Sequence, residues 1–456
     1  MTERLVVLGA DAAGMSAASQ ARRRRTPDEL KIVAFERGRH TSYSACGIPY
    51  WIGGRVESAD DLVARSPEEH RARGIDVRLR HEVVGIDLDR REVVVRELDG
   101  GGEVREPFDQ LMIGTGAMPV RPDWPGMDTA GVHGVQTLDD GESVHDTLDA
   151  GAKRAVVIGG GYIGVELAES MIQRGLAVTL VERGRQPMSS LDPDMGELVR
   201  AAMCGMGIEV WTGVTVDGIE AGADGRVRAV RAGDETFPAD VVVLGLGTRP
   251  NSGLARDAGL PVGLTGGIVT DRQMRVPGHD GIWAGGDCTE TVHLVTGLPA
   301  AIPLGTHANK QGRVAGINLG GGYATFPGVV GTAISRVCDL EIARTGLTEK
   351  EAERAGFAFA TATIESHSRA GYYPGAQRMT VKLLAEQGSG RLLGGQIVGR
   401  EGAAKRIDVL AVALWNRMTV DEMTGLDLGY APPFSPVWDP VLVAARKATE
   451  VVHGPR

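Results

Sequence analysis

The chain opens on a short apolar run inside RLVVLGADAAG that stops at a glycine. A stretch with small residues on one side, MSAASQA, follows, and a second apolar run in KIVAFERGR ends on an acidic residue. That order predicts strand, glycine turn, helix and strand, a βαβ unit. The same order returns in RAVVIGGGYIGVELAESMIQRG followed by AVTLVERGR. Two further apolar strands run into glycine turns, LMIGTGAMP from Leu111 and GIWAGGDCTE from Gly281. Near Pro327 the pattern changes. GVVGTAISRVCDLEIARTGLTEKEAERAGF reads as strand, helix start and amphipathic helix, and MTVKLLAEQGSGRLLGGQIVGREGAAKRIDVLAVALWNRMTVDEM reads as two strands followed by helices. Mixed strands followed by helices predict an α+β domain.

The second βαβ copy carries Gly159, Gly161 and Gly164 as G-x-G-x-x-G directly after its strand, and Glu182 closes the next strand. Such glycines permit the tight turn, the approach of backbone N–H groups to a pyrophosphate and close helix–strand packing, while the acid accepts from ribose hydroxyls. In the first copy Gly9 and Gly14 hold the outer positions, Asp11 replaces the middle glycine, and Glu36 ends the following strand. Both units are read as Rossmann-like dinucleotide sites, the first with a slightly wider loop. The fold class expected is α/β, with two such domains and a C-terminal α+β domain.

Composition narrows the function classes. A chain of 456 residues with 42% hydrophobic content buries two or three cores, and 65 glycines spread along it suit many tight turns. A formal charge of −10 argues against a nucleic-acid or membrane-surface role, which needs a basic footprint. The one basic run, Arg22 to Arg25, reads first as a solvated helix end. No apolar stretch approaches a membrane span, and the first residues read as a strand rather than a signal peptide. Four scattered cysteines, Cys46, Cys204, Cys288 and Cys338, match neither a disulfide framework nor a metal cluster, so a reducing cytoplasm is expected.

The two dinucleotide units, the GTGAMP, GLGTRPN and GGDCTE turns and the C-terminal region together resemble the FAD-dependent pyridine nucleotide-disulfide oxidoreductases over essentially the whole chain. SYSACGIPY, YYPGA and YAPPFSP resemble the single-cysteine branch, which holds coenzyme A disulfide reductases, NADH oxidases, NADH peroxidases and persulfide reductases. The resemblance implies a homodimer. Its subunit would divide into an FAD domain (1–117 and 250–326), an inserted NAD(P)H domain (118–249) and a dimerisation domain (327–456).

By motif match, FAD would contact Gly9, Ala12, Ala13, Gly14, Glu36, Arg37, the backbone of Val83, Thr115, Gly116, Asp287, Thr306 and Ala308. Asp287 would accept from a ribityl hydroxyl, and the helix starting near Thr306 would aim its positive end at the flavin. The nicotinamide dinucleotide would lie against Gly159, Gly161, Tyr162, Ile163, Gly164, Glu182, Arg183 and Gly247. Glu182 favours NADH, since a 2′-phosphate would face its carboxylate; Arg183 and Arg185 weaken that preference and leave NADPH open.

Dithiol members of the superfamily carry a second cysteine five positions away, but here those positions are Thr41 and Trp51. The lysine that follows their cysteine pair is replaced by Pro49, and their histidine–glutamate acid motif is absent from YAPPFSPVWDP. Cys46 is therefore expected as a lone nucleophile. Pro49 would open a short helix whose N-terminus stabilises the thiolate. The other three cysteines are read as structural. Ser16, Gln20 and Arg23 are spaced to share one face of the first helix and, with Ser42, match positions that contact CoA in coenzyme A disulfide reductases. Arg23 is then a phosphate ligand while its arginine neighbours stay solvated. Tyr372 and Tyr430 match tyrosines that reach the cysteine from the other subunit and assist the leaving thiolate.

Three sulfur chemistries stay open: a mixed disulfide with CoA or a related small thiol, a persulfide, and a sulfenate formed from O₂. Ala45 replaces an asparagine found before the cysteine in some coenzyme A disulfide reductases, and Ala12 replaces the peroxidase histidine. A persulfide role would need sulfur delivered from elsewhere, since the chain ends without a rhodanese-like domain. An electron-transfer flavoprotein serving a protein partner is the remaining alternative.

Overall fold

Residues 2–454 are described by a computed structural model. Strands Glu3–Leu8, Leu30–Glu36, Ile75–Leu79, Gln110–Ile113 and Ile282–Ala284 form one parallel sheet with Glu3–Leu8 at its centre. These strands read as near-continuous apolar runs because helices and loops cover both faces; Leu5, Val6 and Val7 are 0% exposed. Helices Ala12–Arg22 and Gly305–Leu319 cross at very short range on one face. Glycine makes that crossing: a Cβ on Gly312 would stand 2.2 Å from Ala13 O, and one on Gly316 would stand 2.2 Å from Ala17 O.

A second parallel sheet orders Glu209–Thr212, Ala177–Glu182, Arg154–Ile158, Val241–Leu244 and Val132–Gly134. The chain enters and leaves it through a two-stranded antiparallel ribbon, Ala117–Pro119 against Thr248–Pro250. Each parallel sheet has an antiparallel three-stranded satellite, His81–Asp87 with Glu92–Glu97 and Glu103–Pro107, and Gly218–Ala221 with Val227–Ala232 and Glu235–Pro238.

The C-terminal unit is a five-stranded antiparallel sheet covered by helices Ile407–Trp415 and Pro440–His453. One sequence expectation is corrected here, and one strand is added. The helix start read after the first strand is instead a hairpin, Ala333–Val337 with Leu340–Gly346, turning at Cys338 with φ 58°. The long edge strand Phe359–His367 went unread because the apolar positions of its alternation are mostly alanine, which carries little apolar signal.

The segment that bears Cys46 leaves the first unit and packs on the second. Ile48, Trp51 and Ile52 share one apolar cluster with Leu138, Leu167 and Met171. Polar ties fix the same contact: Ser170 Oγ donates to Pro49 O (2.7 Å), Arg174 Nη1 to Ile52 O (3.2 Å) and Arg55 Nη2 to Glu169 Oε1 (2.7 Å). Helix Tyr162–Gln173, which starts at the glycine motif, therefore sets the position of the cysteine segment.

Candidate active site

The loops expected to hold dinucleotides gather at the C-terminal edges of the two parallel sheets, where crevices form in doubly wound folds. In the first unit Gly9 has φ 89°, and a Cβ there would stand 2.3 Å from Gly114 O; a Cβ on Gly14 would stand 2.0 Å from Gly9 O. Glu36, at its strand end, accepts from Ala10 N–H (3.0 Å) and Gly38 N–H (2.8 Å). Gly116 (φ 69°) and Thr115, whose hydroxyl donates to Asn251 O, form the neighbouring turn. Val83 is buried in the adjacent apolar cluster, Arg37 is exposed, and Ala308 is buried on the helix that also carries Thr306.

Two observations bear on whether this edge suits FAD. Asp287 has no hydrogen-bond donor among the described residues, and burial pushes its carboxyl up to about 6, so a hydroxyl donor there would be welcome. Asp11, the departure from the glycine pattern, turns its side chain to Tyr43 N–H (3.3 Å) and makes no cap bond to the helix it precedes. The first-turn N–H groups at Ala13 and Gly14 are then left for a pyrophosphate, the Ala12 N–H being turned to the Asp11 carboxylate. The residues fit the group.

In the second unit Gly159 has φ 98°, and a Cβ on Gly164 would lie 1.9 Å from Gly159 O. Gly161 caps the helix in extended conformation, Tyr162 and Ile163 begin it, and Gly247 (φ 84°) lines the far turn. Glu182 accepts from Gly160 N–H (2.6 Å) and Gly184 N–H (2.5 Å), while Arg183 and Arg185 are exposed.

Cys46 lies in a 3₁₀ turn, Ala45–Gly47, just before helix Ile48–Ile52. A Cβ on Gly47 would meet Leu62 Cδ2 at 2.2 Å, so a side chain after the cysteine would have to displace the Leu62 methyl. The thiol is exposed and free. The expected lowering of its pKa is corrected: partial desolvation, then the charges of Glu166, Asp287 and Asp11, push it up. A five-residue helix has too small a dipole to outweigh them. Glu166 is itself raised to about 7, chiefly by burial and further by Glu169, and accepts from Ser335 Oγ at 2.7 Å.

A prediction follows from this coupling. As pH rises through 7, Glu166 ionises and opposes thiolate formation at Cys46. Glu166→Gln keeps the acceptor for Ser335 and removes the charge, so alkylation of Cys46 in the holoenzyme at pH 8 should accelerate about threefold. Iodoacetamide kinetics read by mass spectrometry check this; an unchanged rate refutes the coupling.

A cleft of ≈ 570 Å³ opens beside this segment. Its walls bring together the four residues expected to bind substrate, Ser16, Gln20, Arg23 and Ser42. Arg23 lies one residue beyond the last turn of helix Ala12–Arg22, in helical conformation, and keeps to the same face. Its neighbours are not simply solvated: Arg22 donates to Leu30 O and Gly74 O, and Arg25 pairs with Glu3. Sequence reasoning missed Arg65, His70, Asn309 and Arg313, which line the opposite wall. Asn309 and Arg313 are one helical turn apart in THANKQGR and were legible as a shared face; Arg65 and His70 had no signal. Ser16 Oγ donates to Asn309 Oδ1 (2.8 Å) across the helix crossing.

Cys288 is fully buried and donates to Gly285 O (3.4 Å), and Cys338 is half-buried in its hairpin turn. Cys204 is exposed, so its structural reading loses the support of burial. Tyr372 and Tyr430 stand on the surface of the C-terminal unit, 78% and 49% exposed, and desolvation, then the neighbouring Tyr372 phenol, raise Tyr430 above its ordinary range. Phe434, Val437 and Trp438 are exposed nearby in the chain, more apolar surface than an isolated subunit normally shows.

Comparison with known proteins agrees with these features. Residues 3–312 match the pyridine nucleotide-disulphide oxidoreductase model, and residues 332–440 match the dimerisation domain of the same group. The chain is 36% identical over 452 residues, 98% of each chain, to an NAD(P)H coenzyme A polysulfide/persulfide reductase of Pyrococcus horikoshii. It is 34% identical over 449 residues, again 98% of each, to an NADH oxidase of Methanocaldococcus jannaschii. The structure of an NAD-dependent persulfide reductase from A. fulgidus superposes with a TM-score of 0.95 at 40% identity, covering 98% of this chain and 83% of that one. With both models matched along nearly its full length, the chain belongs to the pyridine nucleotide-disulphide oxidoreductase family.

Proposed function

We propose that this enzyme, which as a family member uses FAD and NAD(P)H, reduces a small sulfur substrate bonded to Cys46, with CoA disulfide or a related low-molecular-weight disulfide or persulfide as that substrate. The observation that carries the reading is an exposed Cys46 two residues beyond Ser44, which lines the cleft where Ser16, Gln20, Arg23 and Ser42 converge. Arg23, Arg65 and Arg313 make that cleft cationic within a chain of net charge −10, which suits a phosphorylated thiol.

FAD, when bound, supplies two-electron transfer between the nicotinamide and sulfur. Gly9, Ala12 to Gly14, Glu36, Arg37, Val83, Thr115, Gly116, Asp287, Thr306 and Ala308 would hold it. The chain's own chemistry begins with the Cys46 thiolate attacking the substrate disulfide: one S–S bond forms to Cys46, the substrate S–S bond breaks, and one thiolate leaves. Tyr372 and Tyr430 of the second subunit in a homodimer donate a hydrogen bond or proton to that leaving sulfur. The reducing cytoplasm is the setting that keeps Cys46 available.

Glu182 directs the preference toward NADH. kcat/KM for NADH should exceed that for NADPH by at least about tenfold, because a 2′-phosphate beside the carboxylate is repelled. Steady-state comparison of the two cofactors checks it, and a preference for NADPH refutes it.

Mass spectrometry of the purified holoenzyme tests the whole reading. A CoA-sized adduct on Cys46 that NADH discharges is the expected result. A sulfenate with no adduct supports the second reading, an NADH oxidase, which the relative from M. jannaschii and the exposure of the thiol favour.

A further inference from the structure

The cleft contains a buried titratable side chain to which the proposed cycle gives no role. His70, on the short helix Pro67–Arg71, is 1% exposed, yet its Nε2 reaches Ser42 Oγ at 2.9 Å across the chain. Its other ring nitrogen, Nδ1, is buried with no partner among the described residues. Ser42 itself sits at φ 50°, a left-handed conformation that a non-glycine residue keeps only when its surroundings over-determine it. They do so here. Ser42 N–H donates to Ala10 O (3.3 Å), Ala64 N–H donates to Ser42 O (2.8 Å), and the imidazole holds the side chain.

Proton accounting decides which way that bond runs. Burial, then Arg65 and Arg73, hold the ring neutral down to a pKa of about 4, against a small opposing pull from Glu69. A neutral imidazole has one N–H. On Nδ1 it would be a buried donor with no acceptor, the arrangement proteins avoid most strictly; on Nε2 it meets Ser42 Oγ.

We infer that His70 sets the polarity of Ser42, donating Nε2–H to its oxygen so that the Ser42 hydroxyl hydrogen is turned into the cleft and selects a substrate that presents an acceptor oxygen, carbonyl or phosphate. His70 is thus a positioning residue that acts through Ser42. Arg23, Arg65 and Arg313 in the same cleft demand the same class of ligand atom. The inference deepens the proposed function and rests on the cleft being the substrate site.

Two measurements test it. In holoenzyme labelled with ¹⁵N-histidine, with His70→Gln used to assign the resonance, long-range ¹H–¹⁵N correlation at pH 7 should show His70 as the neutral Nε2–H tautomer. An Nδ1–H tautomer or an imidazolium overturns the inference whatever the substrate is. In steady-state kinetics with CoA disulfide, His70→Phe should raise KM about tenfold with kcat kept, the scale of one hydrogen bond to substrate. His70→Gln, whose amide can donate to the same oxygen, should restore KM, and His70→Phe should add nothing in a Ser42→Ala background. Equal losses in both backgrounds, or a wild-type KM in His70→Phe, overturn it. Failure of the wild-type enzyme to turn over CoA disulfide sinks the CoA reading, and the tautomer measurement still decides the role of His70.

Discussion

Cys46→Ser is expected to lose disulfide reduction by at least about a thousandfold while NADH still bleaches the flavin. The hydroxyl fits the same 3₁₀ turn, and Gly47 and the packing of Ile48 and Trp51 on the second unit are untouched, so the variant should fold and load its cofactors. Oxygen cannot take the place of sulfur in the covalent step. A serine hydroxyl has neither the acidity of a thiol nor a stable bond to substrate sulfur, and no other cysteine stands close in sequence to substitute. Cys204→Ser should leave turnover near wild type, because that thiol lies on helix Pro193–Gly205 of the second unit, outside the cleft. Anaerobic stopped-flow at the flavin absorbance, paired with NADH consumption in the presence of disulfide, separates the half-reactions. Disulfide turnover retained in Cys46→Ser would refute the covalent scheme. Retained reduction of a protein partner would point instead to an electron-transfer flavoprotein, and no flavin bleaching in the wild type would point to a thiol sensor.

The second large effect lies away from the cleft. Lys382 is 3% exposed, and its Nζ lies 2.8 Å from Asp194 Oδ1, 2.8 Å from Glu349 Oε1 and 3.3 Å from Asp192 Oδ2. Asp192, 2% exposed, also accepts from Gln396 Nε2 (2.7 Å) and Glu349 N–H (2.9 Å). Asp192 and Asp194 open a helix of the second unit, whereas Lys382, Gln396 and Glu349 belong to the C-terminal unit, so this cluster around a buried ammonium joins the two. Burial alone would lower the pKa of Lys382, but its bonds to Asp194 and Glu349 outweigh that and hold it above the ordinary value. Its contribution is therefore fully present at neutral pH and is lost only in alkali, above the unfolded lysine value.

Lys382→Met removes the cation and leaves the buried Asp192 carboxylate with only the Gln396 amide and the Glu349 N–H as donors. The expected loss is about 3–5 kcal/mol, read in calorimetry of the holoenzyme as an earlier transition. Three units need not unfold together, so the transition of the second and C-terminal units is the one to follow. Adding Asp192→Asn should recover part of the loss. A Tm within about one degree of wild type refutes the account, since it would mean the carboxylates relax to solvent.

The local plan of both dinucleotide units was readable without coordinates. Gly9, Gly14, Gly159 and Gly164 are required because a Cβ at any of them would stand 1.9 to 2.4 Å from a backbone oxygen, and a strand ending in Glu36 or Glu182 is a short-range pattern. The C-terminal sheet was read less well. Phe359–His367 alternates weakly, with alanine at most of its apolar positions, and the Cys338 turn needs a positive φ that cysteine rarely signals.

Residue identity and short spacing alone settle that this chain builds two glycine-motif crevices, that Cys46 has no neighbouring partner cysteine, and that Ser16, Gln20 and Arg23 share a helix face. They are silent on the opposite wall. Arg65, His70 and Arg313 come to the same cleft from a loop, a short helix and a long helix, because Gly312 and Gly316 let one helix sit against another and Ser42 is bent into a left-handed turn that meets His70. The pKa of Cys46 was misread for the same cause: it depends on Glu166 and Asp287, carboxylates brought near the thiol by packing between units, and charge acts through space rather than along the chain.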